Sequence, residues 1–226
     1  MHPVDPASIR TPADLAGIID HTLLAPGASH LDLVRVCSEA RARRFATVCV
    51  YGDRVLEACK LLEGSGVPAI AVVDFPRGEG TTAARVAEAL DVVAKGAEEV
   101  DVVVSLPALL AGRFEAVLDD LRAVVRAVPV PVKVILETAA LTLDQIAAGA
   151  ALVRASGAAW VKTSTGFGPG GARPEHVALL RKVVGEALGV KASGGIRTAA
   201  DALAMVRAGA SRVGASSSVA IVDGEW

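Results

Sequence analysis

The stretch from residue 69 to residue 105, AIAVVDFPRGEGTTAARVAEALDVVAKGAEEVDVVVS, contains the pattern that decides the fold. Two short runs rich in valine, Ala69–Phe75 and Glu99–Ser105, predict buried strands. The segment between them, near 81–96, has the wider spacing of apolar residues that is typical of a helix. A strand, a helix and a second strand in this order predict that the two strands are parallel, because the helix carries the chain back to where the first strand began.

The same alternation continues along the chain. The predicted strands are Ile18–Leu24, Ala46–Tyr51, Ala69–Phe75, Glu99–Ser105, Val130–Glu137, Trp160–Ser164, Val190–Ser193 and Arg212–Ala215. The predicted helices between them lie near residues 29–44, 52–64, 81–96, 113–127, 142–156, 174–188 and 198–208. This order indicates an α/β protein with a parallel sheet.

An open doubly wound sheet would show the same alternation. The count of eight strands, and the polar residues at the C-terminal ends of many of them, favour a closed (β/α)8 or TIM barrel, where those ends converge on one site. We expect the N-terminal residues around Pro6 and Thr11–Asp14 to form a short helix that covers the bottom of the barrel. No linker or change in composition interrupts the chain, so we expect residues 1–226 to form a single domain.

The composition argues against several classes of protein. The chain is 52% hydrophobic with a net charge of −2 and a pI of about 6.1, which argues against a broad nucleic-acid surface. We expect no membrane span, because no long apolar run is present, and no signal peptide. Cys37, Cys49 and Cys59 are odd in number and lack CxxC spacing, so we expect a cytoplasmic protein without disulfides. No residue set has metal-ligand spacing, and we expect no metal.

Lysine usage is the clearest chemical signal. The chain has 17 arginines and six lysines, yet Lys133, Lys162 and Lys191 fall inside predicted strands. Lysine can lose its proton inside a protein, whereas arginine cannot. Lys162 and Lys191 should lie at similar heights on adjacent strands, where burial and mutual repulsion should both lower a lysine pKa and so supply an amine that attacks a carbonyl. The alternative is a pair of lysines whose stems pack inside while their tips reach water.

Other polar residues near the strand ends could complete a site. Asp101 is expected to be a proton shuttle or a counter-ion for a barrel lysine, and a salt bridge to Lys133 is an alternative that can coexist with that role. Lys133 and Glu137 share one face of a strand and are expected to give polar support. His21 is expected to have a structural hydrogen bond, and Cys49 to be a buried thiol. Further residues that we expect to support the site are Asp20, Thr22, Cys49 and Thr165.

Glycine-containing loops predict a site for an anion. Ser193–Gly195 follows the seventh strand, and Gly214–Ser217 follows the eighth and leads into a short apolar segment. In such barrels these two loops, with a short helix N-terminus, often bind phosphate. A third flexible loop, with four glycines between Gly166 and Gly171, lies beside Lys162.

These residues together resemble the deoxyribose-phosphate aldolase family. The most specific motifs are Val161-Lys162-Thr163-Ser164-Thr165-Gly166-Phe167 and Lys191-Ala192-Ser193-Gly194-Gly195-Ile196-Arg197-Thr198. Further matching segments are Ile19–Leu24, Phe75–Gly78, Glu99–Val103, Lys133–Thr138 and Arg212–Ser217. The resemblance therefore covers nearly the whole chain.

The resemblance implies the reversible cleavage of 2-deoxy-D-ribose 5-phosphate to D-glyceraldehyde 3-phosphate and acetaldehyde. It also implies a class I aldolase that uses neither metal nor organic cofactor, and we expect a homodimer or homotetramer. By this resemblance Lys162 forms a Schiff base, Lys191 lowers its pKa and takes part in proton transfer, and Asp101 joins the proton relay. The residues that match positions around the substrate phosphate are Gly166, Gly194, Gly195, Ser216 and Ser217.

The sequence departs from the family pattern in three places. Asp74 stands where many members carry glycine, and Ser218 replaces a frequent glycine. The chain ends at Trp226, without the longer tail that ends in tyrosine in some members, which leaves open which group completes the proton relay. Two rival interpretations are another Schiff-base aldolase or transaldolase-like barrel with a different donor, and a non-catalytic barrel that binds sugar phosphates.

Overall fold

The structure, a computed structural model, describes residues 4–224. Within this range eight parallel strands form a closed barrel in sequence order, so the predicted (β/α)8 fold is confirmed. The strands are β1 Ile19–Leu23, β2 Thr47–Val50, β3 Ala69–Val73, β4 Val100–Val103, β5 Val132–Ile135, β6 Trp160–Lys162, β7 Gly189–Ser193 and β8 Arg212–Ala215. Each corresponds to a predicted strand, and most are shorter than predicted because the strand ends bend into the loops.

Helices connect the strands on the outside of the barrel. They are α1 Pro12–Ala16, α2 His30–Arg43, α3 Val55–Leu62, α4 Thr82–Ala94, α5 Leu106–Leu110, α6 Phe114–Ala127, α7 Leu143–Ser156, α8 Pro174–Val184, α9 Ala199–Arg207 and α10 Ser218–Asp223. The sequence did not predict α5, since five residues are too few to show a helical period. Helix α8 ends four residues before its predicted end because Gly185 adopts a positive φ of 62°.

The N-terminal segment contains the predicted short helix. A 3-10 turn spans Pro6–Ser8, and α1 follows it. Thr11 and Asp14 cap α1 reciprocally, each side chain accepting a hydrogen bond from the other residue's backbone. Leu15 on α1 is fully buried, and the helix packs against α10 just before the chain enters β1.

Two regions of different character make up the interior. The space between the strands and the helices is apolar and is filled mainly by valine, leucine and alanine. Inside the barrel the apolar part is small, with Cys49, Ile70 and Val72 on β2 and β3. Trp160 fills the opposite side, where a side chain on Gly189 would lie 2.0 Å from the indole ring. The remaining interior is occupied by charged side chains, which form the candidate site.

Candidate active site

A cluster of seven charged side chains fills the centre of the barrel. The cations of this interior charge cluster are Lys133 on β5, Lys162 on β6, Lys191 on β7 and Arg212 on β8. Its carboxylates are Asp20 on β1, Asp101 on β4 and Glu99 just before β4. Burial of unpaired charges would be strongly unfavourable, so the contacts among these groups decide the state of each.

Asp101 lies at the centre of this cluster and is fully buried. Its Oδ2 atom accepts hydrogen bonds from Lys162 Nζ at 2.7 Å and from Lys191 Nζ at 2.7 Å. Its Oδ1 atom accepts one from Lys133 Nζ at 2.9 Å. The two expectations for Asp101, a counter-ion for barrel lysines and a salt bridge to Lys133, therefore hold together. Three lysines around it hold the pKa of Asp101 well below its usual range despite its burial.

Lys162 and Lys191 lie side by side, as predicted, because they are register partners on β6 and β7. Their surroundings nevertheless differ. Lys191 contacts two carboxylates, with Nζ 2.7 Å from Asp101 Oδ2 and 2.5 Å from Asp20 Oδ2. Lys162 contacts Asp101 alone among the acidic groups of residues 4–224, and it shares that oxygen with Lys191.

This asymmetry separates the two amines. Burial lowers the pKa of Lys162, and the neighbouring Lys191 lowers it further, against the opposing effect of Asp101. Burial also acts to lower the pKa of Lys191, but Asp101 and Asp20 together outweigh it and raise that pKa above its ordinary value. The two effects expected to lower a lysine pKa, burial and a neighbouring ammonium, therefore prevail at Lys162, whereas at Lys191 the contact with Asp20 adds to that with Asp101 and outweighs them.

A cavity of about 310 Å³ opens above Lys162 at the C-terminal ends of the strands. Eight of the predicted site residues line it, namely Thr22, Lys162, Thr165, Gly166, Gly194, Gly195, Ser216 and Ser217. The other five, which lie deeper in the barrel and are fully or almost fully buried, are Asp20, Cys49, Asp101, Lys133 and Lys191. The structure thus places the predicted phosphate residues on the wall of one cavity that has Lys162 among its lining residues.

The loops around this cavity are held in defined conformations. Gly166, Gly194 and Gly195 have φ values of 88°, 88° and 77°, which favour glycine. The loop after β6 packs directly on the loop after β7, since a side chain on Gly171 would lie 2.2 Å from the carbonyl oxygen of Gly194. Ala172 N also donates to that carbonyl at 3.0 Å. The two loops therefore form one continuous wall.

Glu137 anchors the loop that follows Lys162. Its carboxylate accepts hydrogen bonds from the backbone N–H of Thr165, at 3.1 Å, and from the hydroxyl of Thr165. A side chain on Gly168 would collide with this carboxylate, which explains the glycine at that position. Glu137 thus gives the polar support predicted for it, and Lys133 does so from below through Asp101 and Glu99.

His21 and Cys49 agree with their structural interpretations. His21 points outward from β1, with Nε2 2.8 Å from Glu39 Oε2 on α2 and its ring 4.9 Å from that of Phe45. Cys49 lies inside the barrel with no exposed surface, and burial raises the pKa of its thiol to about 11.

Sequence reasoning missed four residues of the site. Arg197 and Phe167 line the cavity, while Arg212 and Glu99 belong to the interior charge cluster. A signal existed for Arg197, which comes two residues after the Gly-Gly pair of the seventh strand's loop. Arg212 and Glu99 stand at the edges of predicted strands, where a charged residue is usually exposed to solvent.

Comparisons with known proteins are consistent with this geometry. The profile of the family described as DeoC/LacD family aldolase matches residues 15–222. The chain belongs to this family. A deoxyribose-phosphate aldolase from Thermoanaerobacter sp. (strain X514) is 46% identical over 217 residues, which cover 94% of this chain and 97% of that protein. The one from Bacillus subtilis (strain 168) is 47% identical over 213 residues, which cover 93% of this chain and 96% of that protein.

Solved structures extend the comparison to three dimensions. A tetrameric deoxyribose phosphate aldolase from Aeropyrum pernix superimposes on this aldolase with a TM-score of 0.89 and 34% sequence identity. The match covers 96% of this chain and 93% of that one. The family resemblance recognised in the sequence is therefore confirmed.

Two of the departures from the family pattern have a structural explanation. Asp74 adopts a φ of 50°, and its carboxylate accepts hydrogen bonds from Gly80 N at 2.9 Å and from the buried Arg85 Nε at 2.7 Å. The aspartate thus ties together the loop between β3 and α4. Ser218 donates to the carbonyl of Ala215 at 2.8 Å. The C-terminal residues 225–226, on which the third departure depends, lie outside the described residues.

Two searches of residues 4–224 complete the description of this aldolase. No helix there has the length and apolar character that crossing a membrane requires. Nor do His, Cys, Asp and Glu side chains in this range form a group of three or more that could hold a metal ion.

Proposed function

We propose that this aldolase reversibly cleaves 2-deoxy-D-ribose 5-phosphate to D-glyceraldehyde 3-phosphate and acetaldehyde through a Schiff base on Lys162. The observation that carries the proposal is the position of Lys162, a buried amine with a lowered pKa that lines a cavity with glycine and serine loops. The relatives' name, deoxyribose-phosphate aldolase, supports the choice of substrate.

The reaction begins when unprotonated Lys162 Nζ attacks the C1 aldehyde of the open-chain sugar phosphate. Loss of water from the adduct gives an iminium ion, whose nitrogen can accept an electron pair. Lys191 is the proton donor in this proposal, because its raised pKa keeps it as an ammonium. Asp101 Oδ2 lies 2.7 Å from both nitrogens and so connects them for proton transfer.

The carbon–carbon bond breaks in the next step. Removal of the proton from the C3 hydroxyl forms the aldehyde of glyceraldehyde 3-phosphate, and the electron pair of the C2–C3 bond moves toward the iminium. The product on Lys162 is the enamine of acetaldehyde. Protonation at C2 and hydrolysis then release acetaldehyde and restore the amine. We propose that Lys191 and Asp101, with ordered water, carry these proton transfers, each typically worth about 10²–10⁴ in rate.

We propose that the phosphate group binds at the loops after β6, β7 and β8. The residues proposed to bind it are Gly166, Gly194, Gly195, Ser216 and Ser217. Arg197, which lines the same cavity, adds a positive charge that favours a dianion. The phosphate takes no part in the bond changes, but its binding energy orients C1 toward Lys162.

A covalent trapping experiment tests this function. Incubation with acetaldehyde, borohydride reduction and peptide mapping should find an ethyl group on Lys162, while a Lys162→Arg variant should carry none at that position. Modification at other lysines alone would reject the nucleophile. Binding of deoxyribose 5-phosphate without any adduct would favour a non-catalytic barrel. Trapping of dihydroxyacetone phosphate in place of acetaldehyde would favour an aldolase with a different donor.

We also propose that the barrel acts as a single aldolase domain, assembles as a homodimer or homotetramer, and works in the cytoplasm. The tetramer described for the Aeropyrum pernix relative supports the assembly. The free thiols of Cys37, Cys49 and Cys59 suit a reducing compartment. Light scattering coupled to size-exclusion chromatography would reject the assembly if the protein eluted as a monomer at micromolar concentration.

A further inference from the structure

Arg212 is one of the members of the interior charge cluster that the proposed mechanism does not use. It begins β8, and its side chain is mostly buried. Its Nη1 atom donates to Asp20 Oδ1 at 2.8 Å, and Nη2 lies 3.9 Å from Glu99 Oε1. The guanidinium stacks over Trp160, with its central carbon 5.1 Å from the ring centroid. These contacts hold Arg212 at the base of the cluster, where its positive charge cannot be removed by deprotonation.

We propose that Arg212 is a positioning residue that keeps Lys162 unprotonated, because it engages Asp20 and adds a fourth positive charge to a cluster that has only three carboxylates. The inference rests on the proposed role of Lys162 as the Schiff-base nucleophile. Arg212 does not line the cavity, so it acts through the other charged groups and not on the substrate.

The charges facing Lys162 inside the barrel can be counted strand by strand. The ionised or titratable side chains are Asp20 on β1, Cys49 on β2, Asp101 on β4 with Glu99 before it, Lys133 on β5, Lys191 on β7 and Arg212 on β8. Strand β3 faces the interior with the apolar Ile70 and Val72. Cys49 stays neutral because burial raises the pKa of its thiol. With Lys162 protonated, the described cluster would have four cations and three anions, and a buried net charge is unfavourable.

One cation can relieve this excess by losing its proton, and the contacts select which one. Arg212 cannot do so. Lys133 contacts both Glu99 and Asp101, and Lys191 contacts both Asp20 and Asp101. Lys162 has only a share of one carboxylate oxygen, so its proton is the least stabilised.

Asp20 connects Arg212 to the lysines, and so to the question of which of them loses its proton. Its Oδ1 atom binds Arg212 and its Oδ2 atom binds Lys191, so both oxygens are engaged. Without Arg212, Asp20 would be neutralised by Lys191 alone. Three lysines would then face three carboxylates, and the cluster would be neutral with Lys162 protonated.

The test is the pH dependence of kcat/KM for cleavage of deoxyribose 5-phosphate, whose acid limb reports the protonation of the free enzyme. Lys162, Lys191 and Arg212 are successive register partners, so Arg212 lies two strand spacings from Lys162, or roughly 10 Å. At an effective dielectric constant of about 20, removal of a unit charge at that distance changes the pKa of Lys162, and so the position of the acid limb, by about one pH unit. Arg212→Met keeps much of the packing on Trp160 and should move the limb upward by about that amount.

Two matched variants separate charge from structural damage. Arg212→Lys keeps the charge and should retain the wild-type limb. Glu99→Gln removes a negative charge from the same interior charge cluster and should move the acid limb of the kcat/KM profile to lower pH. Damage to the fold alone would lower kcat but would not move the acid limb in opposite directions in Arg212→Met and Glu99→Gln. Thermal unfolding and circular dichroism of each variant check the fold.

An unchanged limb in Arg212→Met, or an upward shift in Glu99→Gln, would overturn the inference. If Arg212→Met does not fold, Glu99→Gln still decides, since a downward shift supports the inference and any other result overturns it. Absence of a trapped acetaldehyde adduct on Lys162 in the wild-type protein would overturn the proposed function as well. Failure of the further inference alone looks different: Lys162 would be labelled, but the acid limb of the kcat/KM profile would not move when Arg212 is replaced.

Discussion

Replacement of Lys191 by methionine should make Lys162 harder to deprotonate. The structure places Lys191 Nζ and Lys162 Nζ each 2.7 Å from Asp101 Oδ2. The variant removes the positive charge nearest to Lys162 and leaves Asp101 Oδ2 to Lys162 alone. Both changes favour the ammonium form of Lys162, so its pKa should rise. Since only the neutral amine attacks an aldehyde, the acid limb of adduct formation should move to higher pH.

The size of the shift follows from the geometry. Two nitrogens that share one oxygen at an ordinary hydrogen-bond angle are roughly 4.5 Å apart. At an effective dielectric constant of about 20, the repulsion between unit charges at that distance is about 3–4 kcal/mol. This corresponds to about 2–3 pH units. A buried methionine keeps most of the volume of the lysine stem, so repacking should contribute little to the shift.

The assay is the rate of ethyl labelling of Lys162 by acetaldehyde and cyanoborohydride as a function of pH, corrected with a free lysine standard. Labelling reports the nucleophile directly and remains measurable where overall turnover is slow. Lys191→Arg is the matched control, because it keeps the charge but replaces the ammonium by a guanidinium, which does not give up its proton. Its labelling limb should stay near that of the wild type while kcat falls. If the acid limb of Lys162 labelling in Lys191→Met lay within half a pH unit of the wild-type limb, the electrostatic reasoning would be refuted.

Three further changes give distinct outcomes. Lys162→Arg should reduce cleavage to background with an unchanged circular dichroism spectrum, and substantial turnover would reject Lys162 as the nucleophile. Ser216→Asp should raise KM for deoxyribose 5-phosphate at least about tenfold but leave unphosphorylated deoxyribose nearly unaffected, through repulsion of the phosphate; equal losses would place the phosphate elsewhere. Gly189→Ala should lower the free energy of unfolding by about 3 kcal/mol in urea titrations, because the new methyl would overlap Trp160, and a neutral effect would contradict that packing.

Much of the fold could be predicted because local patterns encode it. The short, continuous valine-rich runs of β3 and β4 fit strands that are buried on both faces, and seven helices of ordinary length separate the strands. The closed barrel followed from the count and from the polar strand ends. The short helix α5 could not be predicted, since it has too few residues to show a period.

Most members of the candidate site could be predicted from the sequence, but its internal contacts could not. Ionisable residues within otherwise apolar predicted strands were the signal that found Lys162, Lys191 and Asp101. This signal gives no distances between strands that are far apart in sequence. Asp20 and Arg212, which are separated by 192 positions, meet only because β8 closes on β1. The raised pKa of Lys191 depends on this closure, which local sequence patterns do not show.

A glycine in the neighbouring strand leaves room for the contact that distinguishes the two adjacent lysines. Lys191 lies on β7 and Asp20 on β1, and β8 runs between them. The register partner of Asp20 on β8 is Gly214, where a side chain would lie only 3.0 Å from Lys191 Cε. The missing side chain leaves the space through which the stem of Lys191 reaches Asp20. Lys162 on β6 is one strand further away and has Lys191 between it and that carboxylate. Closure of the barrel therefore gives one lysine a second counter-ion and leaves the other as the amine able to lose its proton.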